Sequence, residues 1–203
     1  MKSNWSSLPG VWQEAFSLAV ESYLQRTSAP IGAVLTNAQG AIVSRGGNLM
    51  SSHRLSHAEM EAFAGAPAEL ERRQAHLYVT VQPCPMCTGA IRMMQLGHVH
   101  FAAKDPAAGS THLLQSQGFM SEVLSVVHEP TIAYLEKVTV ALVVEHRIRT
   151  GHNRWQEAWE RYQPRAFAVG RQLASAGAHE GWHAASATPA QLYESVSALC
   201  AEA

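Results

Sequence analysis

Leu77-Tyr78-Val79-Thr80-Val81, then Gln82 and Pro83-Cys84-Pro85-Met86-Cys87, and finally Val99-His100-Phe101-Ala102-Ala103 is the stretch that decides how this chain folds. The first segment joins β-branched and aromatic residues and reads as a strand. After Pro83 the sequence predicts a helix from Cys84 through Met94 that ends at Gly97, glycine being common just past a helix terminus. Val99 to Ala103 is a second strand. A strand–helix–strand rhythm implies a sheet with helices packed against it. In the first turn of that helix Cys84 and Cys87 are three apart and share a face. Unpaired N–H groups and the helix dipole favour negative charge there, which lowers a cysteine pKa toward the metal-binding thiolate.

Upstream, His57-Ala58-Glu59 supplies an imidazole and, two residues on, a carboxylate. Zinc takes nitrogen and sulfur ligands, and a catalytic site has three protein ligands with the fourth position open to water. His57, Cys84 and Cys87 can be those three, one zinc per subunit, with Glu59 as the group that moves protons. Two plainer readings compete. His53 precedes His57 by four, so His-x3-His with Cys-x2-Cys would close a structural zinc site. That leaves Glu59 and Pro83 as coincidences, puts a ligand in a Ser-rich stretch that does not look helical, and offers a metal to a chain long enough to fold without one. Alternatively, Ser56 caps a helix opening at His57, and Glu59 falls at N3, the carboxylate position of a capping box. The catalytic reading accounts for more of the residues than either.

The rest of the chain bounds the partners. Its 203 residues suit one domain of ordinary size with an appendage, and 47% hydrophobic against 15% charged residues describes a well-cored globule. No apolar run approaches the roughly 18 to 20 residues that span a bilayer, and Met1 to Pro9 lacks the pattern of a secretory signal. Three cysteines, two in the metal set and Cys200 left over, are no disulfide framework and fit a reducing cytoplasm. Lys plus Arg number 15 against 16 Asp plus Glu, and Lys2, Lys104 and Lys137 are the only lysines, so the chain is no polycation of the kind that grips phosphate backbones. Eleven histidines are mostly scattered, and His57 alone is singled out.

Trp12, Ala15, Phe16, Ala19, Tyr23 and Leu24 recur at helical spacing and predict an amphipathic helix over residues 8 to 26, capped by Ser7. Ile31 to Leu35 and Ala41 to Ser44 flank Thr36-Asn37-Ala38-Gln39-Gly40 as a hairpin. A loop follows from Gly46-Gly47-Asn48 to Ser56. The helix that opens at His57 runs toward Ala64, and Pro67 restarts it for Ala68 to Gln74. Residues 112 to 137 read as loop and short helix, and Val138 to Glu145 as the final strand. Trp155 to Tyr162 and Arg165 to Ala176 are helical, and Gly177 to Ala187 is a connector. Thr188-Pro189-Ala190-Gln191 is a helix-opening signature, with Leu192, Val196, Leu199 and Cys200 on one apolar face beyond it. This divides the chain into residues 1–150 and a helical C-terminal extension, 151–203, packed on the core or on a neighbouring subunit.

The order His-x-Glu, then Pro-Cys-x-x-Cys, is the signature of zinc deaminases that act on nucleobases. With Pro30-Ile31-Gly32-Ala33-Val34-Leu35, Gly89-Ala90-Ile91 and Lys104-Asp105-Pro106 through Gly109-Ser110, the chain resembles the cytidine deaminase-like superfamily over about residues 8 to 150. Within it, the resemblance is closest to the branch of tRNA adenosine deaminases and guanine deaminases. It implies a three-layer α/β/α fold, with a mixed five-stranded sheet between helices, in a homodimer or higher homo-oligomer. It also implies that Asn48 hydrogen-bonds the base. Arg54-Leu55-Ser56 stands where this branch commonly has Asp-Pro, and Gln82 stands where Glu is common. The expected activity is hydrolytic: an amino-substituted nucleobase, nucleoside or related heterocycle becomes the oxo product and ammonia leaves. Backbone N–H groups near Ala58 and Cys84 would orient the substrate. Near-neutral charge favours a small-molecule substrate; the Lys104–Ser110 match favours tRNA adenosine as the alternative, and a zinc-stabilised module without activity is the reading of another class.

Overall fold

A computed structural model describes residues 4–25, 28–115, 125–152 and 154–202. The first strands, β1 (Gly32–Thr36) and β2 (Ile42–Gly47), form the expected antiparallel hairpin. β3 (His76–Val81) pairs antiparallel with β1, and β4 (His98–Ala103) pairs parallel with β3. β5 (Val126–His128) adds a parallel edge, giving a mixed five-stranded sheet in the order β2-β1-β3-β4-β5.

Alternation along the strands sorts side chains to two faces, because successive residues point to opposite sides. Ala33, Leu35, Leu77, Val79, Val99 and Phe101 face α2 (Ala58–Ala64) and α3 (Pro85–Met93), burying Ala58, Ala62 and Ile91 against them. Val34 and Ala102 face the other way, onto α1 (Gly10–Leu24) and α4 (Ala133–Arg149). The three-layer α/β/α architecture expected from the sequence is therefore present.

The strand expected over Val138 to Glu145 is instead the centre of α4, and β5 lies upstream at Val126–His128. Val138-Thr139-Val140-Ala141-Leu142-Val143-Val144 is rich in β-branched residues, but all seven are buried. A helix that is apolar all round is one covered on every side. Here the sheet covers α4 on one side and α6 (Pro164–Ser175) with α8 (Pro189–Glu202) cover the rest. A short continuous apolar run cannot be told from a strand by periodicity, and tertiary cover decided the matter.

Other local expectations also shift. Pro9, not Ser7, caps α1, after a 3-10 turn at Trp5–Ser7. Residues 68 to 74 form no α-helix, only a 3-10 turn at Arg72–Gln74. The 177–187 connector contains α7 (Ala178–Ala184). Part of the loop expected over 112–137 lies outside the described residues; beside that part stands a 3-10 helix at Thr111–Gln115. The Thr188 signature is realised: Gln191 N donates to Thr188 Oγ1 at 3.3 Å, while Gln191 Oε1 accepts from Thr188 N at 2.9 Å.

The helices after residue 150 are tied to the sheet's helical layer. Trp159 of α5 (Gln156–Tyr162) and Phe167 of α6 pack with Val140, Val143 and Val144 against Val81 and Ala103, at the ends of β3 and β4. Fully buried Glu145 accepts from Tyr23 Oη at 2.6 Å and from Arg149 Nε at 2.9 Å, joining α1 to α4. His179 Nε2 lies 3.0 Å from Tyr23 O, joining α7 to α1. No helix among the described residues is long and apolar enough to cross a membrane.

Candidate metal centre

Two helix N-termini point the metal ligands at one another. His57 is the N-cap of α2, and Cys84 is the N-cap of α3, with Pro85 in the first turn, where its missing N–H costs nothing. The His57 ring makes no capping bond to its own helix and instead faces the two cysteine sulfurs of α3. α2 lies against β2 closely enough that a Cβ on Gly46 would stand 2.5 Å from Ala62 N and nearer still to Ala58 O. Only glycine lets the helix carrying His57 sit this deep.

His57 Nδ1 is 3.6 Å from Cys84 Sγ and 3.6 Å from Cys87 Sγ. Zinc bonds of about 2.0–2.1 Å to nitrogen and 2.3 Å to sulfur, at a tetrahedral angle, place N and S about 3.6 Å apart. The donor set thus fits zinc in both type and spacing. These are the three residues, among those described, whose ligand atoms all lie within 4.8 Å of one another. His53 is exposed and accepts from Leu55 N at 3.3 Å within its own turn, so it stays out of the set and the closed four-ligand alternative fails.

The two sulfurs are poised unequally, Cys84 toward the thiolate and Cys87 toward the thiol. A hydrogen bond from Cys87, helped by His57, holds the Cys84 thiol down to about 4. The same bond to Cys84, with burial and Glu59 nearby, drives Cys87 upward. The Cys84 sulfur raises His57. One proton shared between two sulfurs is what a divalent ion replaces, since metal binding releases ligand protons.

Glu59 is buried in the first turn of α2, 4% exposed. Burial lifts its carboxyl to about 7, the Cys84 charge adding to the rise and its own backbone N–H pulling it back. The capping-box alternative is not built: the helix opens at Ala58, one residue later than expected, and His57 rather than Ser56 is the cap. Ala58, fully buried, is the first residue of the helix. Asn48 follows β2 and is 1% exposed. Its Oδ1 accepts from Met50 N at 2.9 Å, its backbone N donates to Ile31 O at 3.0 Å, and its Nδ2 has no partner. A buried amide N–H without a partner costs about 1–3 kcal/mol, which a bound acceptor would recover.

Sequence reasoning noticed Gln82 only as a departure from the branch pattern. In the structure it is a brace. Its Nε2 donates to Thr111 Oγ1 at 2.6 Å and its Oε1 accepts from Asp105 N at 3.2 Å. Ser110 N donates to Pro83 O at 2.9 Å, so the 104–111 loop is tied to Gln82 and Pro83, the two residues directly before Cys84. Tyr162 Oη accepts from Lys104 N at 3.1 Å and donates to Glu136, fastening the same loop to α5 and α4. The position of Gln82 directly before Pro83-Cys84 was the available signal.

An α/β/α sheet with a His–Cys–Cys zinc set at two helix N-termini and a buried acid beside it defines the class: a zinc-dependent deaminase domain. Residues 8–103 match the cytidine and deoxycytidylate deaminase zinc-binding region. The tRNA-specific adenosine deaminase of Bacillus subtilis (strain 168) is 38% identical over 116 residues, covering 52% of this chain and 71% of that protein. The chain belongs to the cytidine and deoxycytidylate deaminase zinc-binding family. A tRNA(Ile)-lysidine synthase of Deinococcus radiodurans is 39% identical over 102 residues, 48% of this chain but only 17% of that protein. A solved tRNA:A34 deaminase superposes with TM-score 0.53 at 29% identity, covering 59% of this chain and 95% of that one. Guanine deaminase from Nitrosomonas europaea, at 16% identity and TM-score 0.50 over 68% of this chain and 83% of that one, shares the fold.

Proposed function

We propose that this chain is a zinc-dependent hydrolytic deaminase that converts an amino-substituted nucleobase, nucleoside or related heterocycle to its oxo form and releases ammonia. The observation that carries the reading is the 3.6 Å spacing of His57 from both cysteines with Glu59 buried beside them. Zinc, when bound, supplies a water whose pKa falls from 15.7 to about 7. Glu59 takes a proton from water and delivers it to a ring nitrogen as oxygen adds to the adjacent carbon. It then takes the second proton from the added hydroxyl and passes it to the amine, so the carbonyl forms as the carbon–nitrogen bond breaks and ammonia leaves. A carboxyl held near neutrality is suited to both directions of transfer. Asn48 Nδ2 is the free donor for a substrate acceptor, and the N–H groups near Ala58 and Cys84 are the backbone counterpart.

A small-molecule substrate fits the charge. Lys104, beside the site loop, is paired with Glu129 at 2.8 Å, and Arg45 with Glu14 at 2.5 Å. These cations are already engaged, whereas binding to a phosphate backbone rests on cations that displace its counterions. Adenosine in tRNA is the second reading, favoured by the 38% identity to the B. subtilis enzyme. Ammonia release from guanine, cytosine, adenosine, cytidine and a tRNA anticodon stem separates the two. Turnover of none of the five by zinc-loaded protein overturns the proposal. A reducing cytoplasmic setting, suited to the three free thiols, and assembly as a homodimer or larger belong to the same proposal; sedimentation checks the assembly.

A further inference from the structure

We propose that His76, His98, His100 and His128 form a second metal site, for a late first-row divalent cation, on the sheet face that carries α1 and α4. The family's zinc ligands stand on α2 and α3, on the opposite face.

Register brings the four together. His76 is paired with His98 across β3 and β4, and His100 with His128 across β4 and β5. Spacing of two along β4 puts His98 and His100 on one face. His76 Nδ1 lies 3.0 Å from His100 Nε2, and His98 Nδ1 lies 3.3 Å from His128 Nε2. Two nitrogens on one tetrahedral zinc at 2.0–2.1 Å stand about 3.3 Å apart. The two pairs lie side by side: His76 stacks on His98 with centroids 4.2 Å apart, and His100 on His128 at 3.9 Å. Tyr78 closes one side, stacked on His100 at 4.3 Å.

Access and charge suit a cation. All four histidines are partly exposed, and His100 and His128 line a cleft of about 110 Å³ together with Glu129, whose carboxylate is paired with Lys104. Burial and the neighbouring rings push His76 and His128 below their usual range and His100 to about 3. That favours the neutral form of those three rings, the form that binds a metal. An all-imidazole donor set suits zinc, copper and nickel rather than magnesium or calcium. As the rings stand, they meet only in pairs: no three of them bring ligand atoms within 4.8 Å of one another, as His57, Cys84 and Cys87 do. Ligation therefore needs ring rotation, and binding here is weaker than at the thiolate site. Without metal, each pair is a hydrogen bond between two rings.

The test uses the untagged full chain, already holding one equivalent of zinc, titrated with Co²⁺ and with Ni²⁺. A second equivalent is expected. Its Co²⁺ spectrum should lack the thiolate charge-transfer band that a cysteine-ligated ion shows. Double substitution His98→Thr with His128→Thr is expected to weaken the second equivalent at least tenfold, leaving the first zinc and ammonia release unchanged. Should that variant fold poorly, mass spectrometry of diethylpyrocarbonate-treated wild type reads the same site: Ni²⁺ should shield these four histidines. A stoichiometry of one, a thiolate band on the second ion, a second equivalent undiminished in a folded double variant, or no shielding overturns the assignment.

Discussion

Gly46→Ala tests whether the depth of α2 against the sheet sets the chemistry. The new Cβ would begin 2.5 Å from Ala62 N and nearer still to Ala58 O, and ordinary contact starts near 3.4 Å, so the helix must withdraw by more than about 1 Å. The nearest groups are backbone atoms of α2, which cannot swing aside as a side chain can. Overpacking of this kind costs about 1–3 kcal/mol. In a chain of this size that lowers the midpoint of thermal unfolding by about 2 to 12 °C, at 2–4 °C per kcal/mol. The larger effect falls on the site, because His57 and Glu59 ride on the same helix while Cys84 and Cys87 do not. A displacement of about 1 Å in a reacting constellation lowers turnover by about a hundredfold. The assays are calorimetry, zinc content after dialysis against a weak chelator, and ammonia release. Zinc should be lost more readily than from wild type, with both cysteines intact. Wild-type turnover and zinc retention in a variant whose unfolding midpoint has fallen would show that helix depth does not govern the centre.

Glu59→Gln should keep zinc and lower kcat by at least about 10²–10⁴, the usual worth of general acid–base transfer; wild-type kcat would remove the assigned role. Tyr23→Phe deletes the hydrogen bond to buried Glu145 and should cost about 1.5–3 kcal/mol in urea unfolding, the range for bonds to charged groups. His146 is held at about 4 against an ordinary 6.5, by burial and then by Arg149, so the unfolded chain takes up a proton that the folded chain refuses. Stability is fully present above about 6.5 and lost as pH falls toward 4, and His146→Gln should flatten that part of a urea-midpoint profile.

The centre was legible because its chemistry is local in sequence. His-x-Glu and Cys-x2-Cys are short spacings at helix starts, and the structure needs only to bring two such starts together. The hairpin was legible for a similar reason, its turn residues lying between two short apolar runs. What failed depended on distant neighbours. Val138–Val144 has the composition of a strand, and only the cover from α6 and α8 makes it a helix. Gly177–Ala187 looks like a linker because its residues are small, yet His179 finds Tyr23 and α7 forms around that contact. The histidine quartet escaped because its members come from three strands. His98-x-His100 carries the period of two, but its meaning depends on register with His76 and His128.

Trp159 and Phe167 against Val81 and Ala103 bear on any attempt to transplant this catalytic unit. The roughly hundred residues shared with relatives are not a detachable cassette in this chain. Excised, they would present bare apolar strand ends immediately beside the cysteine loop, inviting aggregation at the place where order matters most. A chimera built on residues 8–103 therefore needs an aromatic lid from its new host, or must bring α4 through α6 along.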